Sequence, residues 1–266
     1  VGNGFVGSAV AFGFSSRTGC DAEVRIYDKD KSKSSHQLSD VINESDFIFV
    51  SVPTPSNTDG SINVSIVEDI FNEMNSHNSR ADNIFLLRST VVPGTTRRIQ
   101  GDCPKLNIVF NPEFLTEKSS KFDFINQSRF ILGGQQKQLD YYTNKASNLF
   151  TWRFGKSIPI IRTTYETAEF IKYMNNCYFA TKISFLNEMN QIAQECGVDW
   201  DAAVDGFARD GRIGHSHLSV PGHDGKHGFG GSCFPKDMQA MINFAKTLGV
   251  DPTVLKGAWS KNLNVR

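Results

Sequence analysis

In the stretch GFGGSCFPKD, residues 228–237, a single cysteine stands between a glycine run and a proline that can open a helix. Pro235 suits the first turn of a helix, where its missing N–H is not needed. Cys233 therefore falls at the helix amino terminus, where the positive end of the dipole favours thiolate over thiol. Lys236 adds positive charge nearby, and Asp237 lies one turn along from the sulfur. Gly230 and Gly231 let a bulky substrate approach the backbone. A lone cysteine is ordinarily a packing residue; here the local architecture favours a nucleophile, whose thiolate can add to a carbonyl carbon.

Other groups acquire meaning only with a partner. NPEFLTEKS (111–119) supplies Glu113 and Glu117 four residues apart, and Lys172 and Asn176 share one helix face at the same spacing. Alone, each pair reads first as a solvated face. Four of the six histidines (His215, His217, His223, His227) fall in the 213–227 segment. A metal site needs further ligands on a rigid scaffold, so this segment reads as a polar loop and no metal is expected.

The chain opens VGNGFVG, which gives G-x-G-x-x-G at Gly2, Gly4 and Gly7 around Phe5 and Val6. Glycines there permit a tight turn and bring backbone N–H groups to a pyrophosphate at a helix amino terminus. The segment EVRIYD then ends in Asp28, about 20 residues on, where a carboxylate can bond the ribose hydroxyls and favour NAD over NADP. Lys29 and Lys33 nearby pull against that preference. SVPTP (51–55) and RSTVVPG (88–94) each end an expected strand, which sets Val52, Pro53, Thr54, Ser89 and Thr90 beside a cofactor.

The elements that must hold these groups alternate through the first half. Strands are expected at 23–27, 46–52, 84–88, 107–110 and 129–132, with helices near 6–15, 63–75, 95–100 and 137–150. Such alternation builds a parallel sheet with helices on its faces. After residue 163 the period changes: Ala168, Ile171, Tyr178, Phe185, Met189, Ile192 and Cys196 recur at helical spacing for some thirty residues. Thr163 with Glu166 forms an expected capping box and Gly197 a stop. Residues 211–232 form a glycine-rich loop, followed by a helix over 235–248 that Gly249 ends. The fold class expected is α/β: a Rossmann-like doubly wound parallel sheet in residues 1–162, then an all-helical domain in 163–266 with a long connecting helix.

The 266 residues carry 28 Lys+Arg against 28 Asp+Glu, a balance that argues against a large nucleic-acid surface. No apolar run reaches the roughly 18 residues of a membrane span, so no membrane partner is expected. Five cysteines without a C-x-x-C pair fit a reducing compartment, hence the cytoplasm. With no initiator Met and almost no strand ahead of Gly2, the chain reads as a piece of a longer one.

Taken in order, GNGFVG, SVPTP, RSTVVPGTT, NPEFLTE, ETAEFIKYMNNCYFATKISFLNE, RDGRIG and GFGGSCFPKD resemble the nucleotide-sugar 6-dehydrogenases of the UDP-glucose/GDP-mannose dehydrogenase family. The resemblance covers nearly the whole chain. It implies oxidation of a sugar C6 alcohol to a carboxylate with two NAD, through a covalent cysteine intermediate, with UDP-glucose as substrate ahead of GDP-mannose. Cys233 becomes the nucleophile, Lys172 and Asn176 the oxyanion donors, and Asp237 a proton-transfer group. Glu117 and Thr90 position water, and Glu113 assists thioester hydrolysis. Lys33, Glu117 and Lys236 join the cofactor residues. Phe114, Leu115, Phe229, Gly230 and Gly231 line the sugar-nucleotide site with Glu113, Lys172 and Asn176. Arg212 matches an arginine that reaches a neighbouring subunit's substrate, which implies a homodimer through the long helix. Against the family pattern, the first strand is truncated and a third, nucleotide-gripping domain does not follow. A β-hydroxyacid dehydrogenase, with no use for Cys233, and a non-catalytic nucleotide-binding fragment are the competing readings.

Overall fold

The computed structural model describes residues 1–136 and 141–266, which form two compact units, one of Val1–Pro55 with Ile62–Lys172 and one of Ser56–Ser61 with Tyr173–Arg266. In the first, strands β1 (Phe47–Val50), β2 (Ile84–Leu87), β3 (Ile108–Phe110), β4 (Phe130–Gly134) and β5 (Ile160–Thr164) lie side by side in chain order. Alternate residues of β2 bury on opposite faces. Phe85 and Leu87 join Val41, Ile42, Val67, Phe71, Met74 and Ile99. Ile84 and Leu86 join Val10, Phe14, Phe124, Ala146 and Phe150 on the other side. A strand covered on both faces must be apolar throughout, which is why IFLL shows no alternation.

Those covering residues come from α1 (Phe5–Gly13), α2 (Leu38–Glu44), α3 (Ser65–His77), α4 (Thr95–Asp102), α5 (Ser120–Ile125) and α6 (Tyr142–Phe154). The expected helix at 137–150 begins within 137–140, which lie outside the described residues. Helices α2, α5 and strand β5 are additions to the expected set.

Two expectations about the sheet need correction. The sheet is mixed: β1–β2, β2–β3 and β4–β5 pair in parallel, but β3 and β4 pair antiparallel through Phe110 and Gly133. A parallel pair needs a crossover over the sheet. Here the link from β3 holds one 3-10 turn (Glu117–Ser119) and the six-residue α5, which packs on α1 with the Phe124 ring 2.3 Å from where a Gly13 Cβ would be. Residues 23–27 form no strand. Their hydrogen bond to the chain start is a single one, Gly2 N–H to Tyr27 O (2.9 Å), while Val1 pairs the other way through Phe49 O (2.8 Å) and Ser51 N–H (2.9 Å). Beyond it lies a cavity of about 410 Å³ lined by Val24, Ile26, Phe47 and Phe49.

Helix α7 (Tyr165–Glu195) runs for 31 residues. Thr163 does not cap it, because Thr163 pairs with Gly133 inside β5. The Thr164 hydroxyl accepts the Thr167 N–H (3.4 Å), and Glu166 pairs with Arg97. Gly197, at φ 68°, follows its end as expected.

In the second unit α7 continues with α8 (Trp200–Ala208), α9 (Phe234–Thr247) and α10 (Thr253–Val265). Asp199 caps α8 by accepting the Ala202 N–H (3.1 Å). The long loop between α8 and α9 is tied down by side chains. Lys182 Nζ donates to the carbonyls of Ile213, Gly214 and Ser216 (3.2, 3.0 and 2.8 Å). Asn187 Oδ1 accepts from Gly228 N–H (3.0 Å) and Asn262 Oδ1 from Phe229 N–H (2.6 Å). The loop thus reaches α9 in a fixed path.

Candidate functional site

The first unit gathers the glycine turn and the segments after β1, β2 and β3. Gly2 has φ 80°, and a Cβ there would sit 2.5 Å from Ser51 O; a Cβ on Gly7 would sit 1.8 Å from Gly2 O. Only glycine closes this turn. Nothing lies within 4 Å of a Cβ placed on Gly4, the residue that opens α1. That leaves open space at a helix amino terminus, as a pyrophosphate requires. Phe5 and Val6 form the first turn of α1. Asp28 is held at the turn: Oδ2 accepts Asn3 N–H (2.6 Å) and Oδ1 accepts Asp30 N–H (2.8 Å). The Lys33 carbonyl accepts from Asn3 Nδ2 (2.9 Å), and its ammonium pairs with Asp30 (3.4 Å). These residues fit a dinucleotide.

Ser89 is buried after β2, and its hydroxyl clips Val52 by donating to the carbonyl (2.7 Å) and accepting from the N–H (3.0 Å). Pro53 is exposed, Thr54 buried and Thr90 half-buried. Glu113 is buried after β3 at 4% exposure. Lys172 Nζ donates to its carbonyl O (2.6 Å) and to Oε1 (2.9 Å), and Oε2 accepts Leu115 N–H (2.6 Å). Burial pushes the Glu113 carboxyl up, but Lys172, the Leu115 N–H and Arg88 outweigh it and hold it below the usual range. The Phe114 ring receives two cations, Arg129 at 4.4 Å and Lys172 at 5.4 Å from its centroid. Glu117 is exposed in the turn that follows.

The second unit gathers the thiol and its neighbours. Cys233 is the amino-terminal cap of α9, with Pro235 in the first turn. Its sulfur is half-buried, 3.7 Å from Ser232 Oγ. Asp237 is buried at 1% exposure and held through both oxygens: Oδ1 by Lys236 Nζ (2.5 Å) and Oδ2 by Asn176 Nδ2 (2.6 Å). Burial against α9 pushes the Cys177 thiol up to about 12, and burial puts Cys103 at about 11. Those two are packing cysteines. Phe229 is buried, a Cβ on Gly230 would meet the Arg266 guanidinium, and Gly231 opens to space. Arg212 is exposed and pairs with Asp210 (2.5 Å). His217 stacks on Phe179 (4.3 Å), and His227 bonds Asn187 (3.1 Å). Among the described residues no group of three His, Cys, Asp or Glu could hold a metal.

Three residues of consequence are missing from the sequence reading. Arg88 and Asn111 are buried and bonded to one another. Glu169, one turn before Lys172, accepts from Gly94 N–H (2.7 Å), Thr96 N–H (2.8 Å) and Thr96 Oγ1 (2.6 Å) at the start of α4. The one local signal was Arg88 itself, a charge directly after an unbroken apolar strand.

Comparison with known proteins matches residues 30–151 to the UDP-glucose/GDP-mannose dehydrogenase family, NAD binding domain, and residues 166–264 to the central domain of that family. UDP-glucose 6-dehydrogenase YwqF of Bacillus subtilis is 34% identical over 83% of this chain and 49% of its own length. UDP-glucose 6-dehydrogenase AglM of Haloferax volcanii is 32% identical over 90% of this chain and 57% of its own. The chain thus spans about half the length of these curated relatives. The structure of a UDP-glucose dehydrogenase from Pyrobaculum islandicum superposes with a TM-score of 0.80, at 27% identity, over 99% of this chain and 67% of that one.

Proposed function

Because the chain belongs to the UDP-glucose/GDP-mannose dehydrogenase family, we propose that the full-length protein oxidises the C6 alcohol of UDP-glucose to the carboxylate, with Cys233 as covalent nucleophile. Residues 1–162 act as the NAD-binding domain and 163–266 as the helical domain that carries the thiol. The observation that carries this reading is a cysteine capping α9 one turn from an aspartate pinned through both oxygens by Lys236 and Asn176. A packing cysteine needs no such neighbour.

Bound NAD supplies one function, taking hydride from C6 in each of two rounds; Gly2, Gly4 and Gly7 admit its pyrophosphate, and Asp28 its ribose. The Cys233 thiolate adds to the C6 aldehyde, forming a C–S bond and an oxyanion. Lys172 uses two of its N–H groups on Glu113; an ammonium has three, and the third serves the oxyanion together with Asn176. After the second oxidation the carbon is a thioester. Water positioned by Glu117 and Thr90 attacks it, its proton passes to Glu113, and the C–S bond breaks with the electron pair leaving on sulfur. Asp237 takes part in proton transfer, and Phe114, Leu115 and Phe229–Gly231 line the sugar nucleotide.

Helix α7 exposes Phe170, Met174, Tyr178, Phe185, Met189 and Ile192, each at least 40% accessible. Large apolar residues at helical spacing favour a homodimer through this helix, with Arg212 reaching the neighbouring subunit's substrate. The five free cysteines suit the cytoplasm. The test is NADH yield from full-length protein with limiting UDP-glucose, GDP-mannose or a β-hydroxyacid. Two NADH per UDP-glucose, with complete oxidation lost in Cys233→Ser, is expected. One NADH per substrate and indifference to Cys233 would overturn the reading.

A further inference from the structure

The loop from β2 to α4 carries Thr90 and is fixed at both ends. Ser89 clips its start to Val52 through two hydrogen bonds (2.7 and 3.0 Å). At its far end Gly94 turns at φ 96°, in the left-handed region that favours glycine, and occupies the amino-terminal cap position of α4. A glycine has no side chain to cap with, and the first turn of α4 holds no acidic residue. The acceptor comes instead from α7. Glu169, fully buried, takes Gly94 N–H on Oε2 (2.7 Å) and both Thr96 N–H (2.8 Å) and Thr96 Oγ1 (2.6 Å) on Oε1. Val91, inside the loop, is buried in the same core cluster as Ala168, the residue before Glu169. The Thr90 hydroxyl makes no hydrogen bond of its own among the described residues, so the loop alone sets its place.

Lys172 follows Glu169 by one turn of α7 and bonds Glu113. One carboxylate thus ties the loop of Thr90 to the helix whose next turn holds Glu113. Capping alone does not call for a buried charge, which is costly to desolvate. A carboxylate brought from α7 does what no local cap can: it holds two elements in one register, with each oxygen at a different residue.

We propose that Glu169 is a positioning residue, which holds Thr90 where it directs water to the thioester. The role rests on the dehydrogenase reading above, but the hold on the loop does not, and it can be measured without turnover. In the step concerned, the water oxygen bonds the carbonyl carbon, its proton passes to Glu113, and the C–S bond breaks with its pair on sulfur. Both hydride transfers precede that step. Full-length Glu169→Gln is assayed at about pH 8.5, where the parent carboxyl, pushed up to about 7 by burial, is ionised. It should release about two NADH per subunit in a burst at the parent rate. Steady turnover should then be about 10- to 100-fold slower, with kcat/KM little changed. Thr90→Ala should show the same burst, and adding Glu169→Gln to it should change the slow rate by less than about twofold. A burst slowed as much as the steady state, or additive losses in the double variant, overturns the proposal. Should Glu169→Gln not fold, Thr96→Val, which removes one of the three bonds, must give the same pattern more weakly; parent-like turnover overturns the proposal. Without turnover, NMR of ¹³C-methyl threonine and amide hydrogen exchange read the loop. In Glu169→Gln the Thr90 methyl signal should shift, and the Gly94 and Thr96 amides should exchange at least about tenfold faster. An unmoved signal with unchanged exchange overturns the proposal. A loosened loop, in a protein whose parent turns over no sugar nucleotide, would bear out the hold and sink the dehydrogenase reading instead.

Discussion

Asp237 illustrates how this protein fixes a charged group: two donors from two helices, one to each carboxylate oxygen. Removing one donor should cost more than a hydrogen bond, because the remaining oxygen is buried without a partner. Asn176→Ala is therefore expected to lower kcat by about 10²–10³, the scale seen when an oxyanion donor is lost, with a smaller change in KM. Stopped-flow traces of NADH formation would check it. The thiols make a second prediction. Cys177 and Cys103 are pushed up to about 12 and 11 by burial, whereas Cys233 is half-buried and Cys196 exposed. Brief treatment with iodoacetamide at pH 7 should label Cys233 and Cys196 in the folded protein and spare the buried Cys20, Cys103 and Cys177. Peptide mass spectrometry that finds Cys177 labelled first would contradict this. Cys233, Pro235, Lys236 and Asp237 were legible in the sequence because their spacing within one helix turn already fixes their geometry. Arg88, Asn111 and Glu169 were not, since their partners lie 23 to 75 residues away and no local pattern announces them.

At the scale of elements, Glu169 joins α7 to α4. It acts as an amino-terminal cap supplied from another helix, satisfying N–H groups that α4 leaves open. Burial pushes its carboxyl up to about 7, against the bonds from Thr96 and Gly94 that pull it down. The folded protein therefore binds that proton more tightly than the unfolded chain does. Stability from this group is full below pH 4.5 and declines as pH rises towards 7, by up to about 3 kcal/mol. In urea titrations at several pH values, Glu169→Gln should flatten that decline relative to the parent; an unchanged slope would count against it. The strands 46–52 and 84–88 and the helix α7 were readable from period alone. The segment 23–27 was equally β-rich yet forms no strand: its carbonyls at Ile26 and Tyr27 are taken by Ser35, His36 and the glycine turn at Gly2. Strand β5 and helix α10 escaped for the opposite reason: IIRTT lies at intermediate or full exposure, and α10 carries a glycine and few buried residues, so neither has a clear apolar rhythm.

At the scale of the whole molecule, the exposed face of α7 predicts association. Tyr178→Glu with Phe185→Glu should convert a dimer to monomers in light scattering, while circular dichroism stays unchanged. Dimeric mass retained in the double variant would show that the face is not the contact. The two-sided burial of the sheet has another consequence, one that concerns the path to the fold. A strand such as Ile84–Leu87, apolar on both faces, is hidden only after helices from distant parts of the chain have docked on each side. Until then it is an adhesive segment, and encounters between chains compete with docking within one. Refolding yield from urea should therefore fall steeply as protein concentration rises from about 1 to 50 µM, with turbidity appearing before native signal is complete. A yield independent of concentration would mean that the helices cover the sheet faster than two chains can meet.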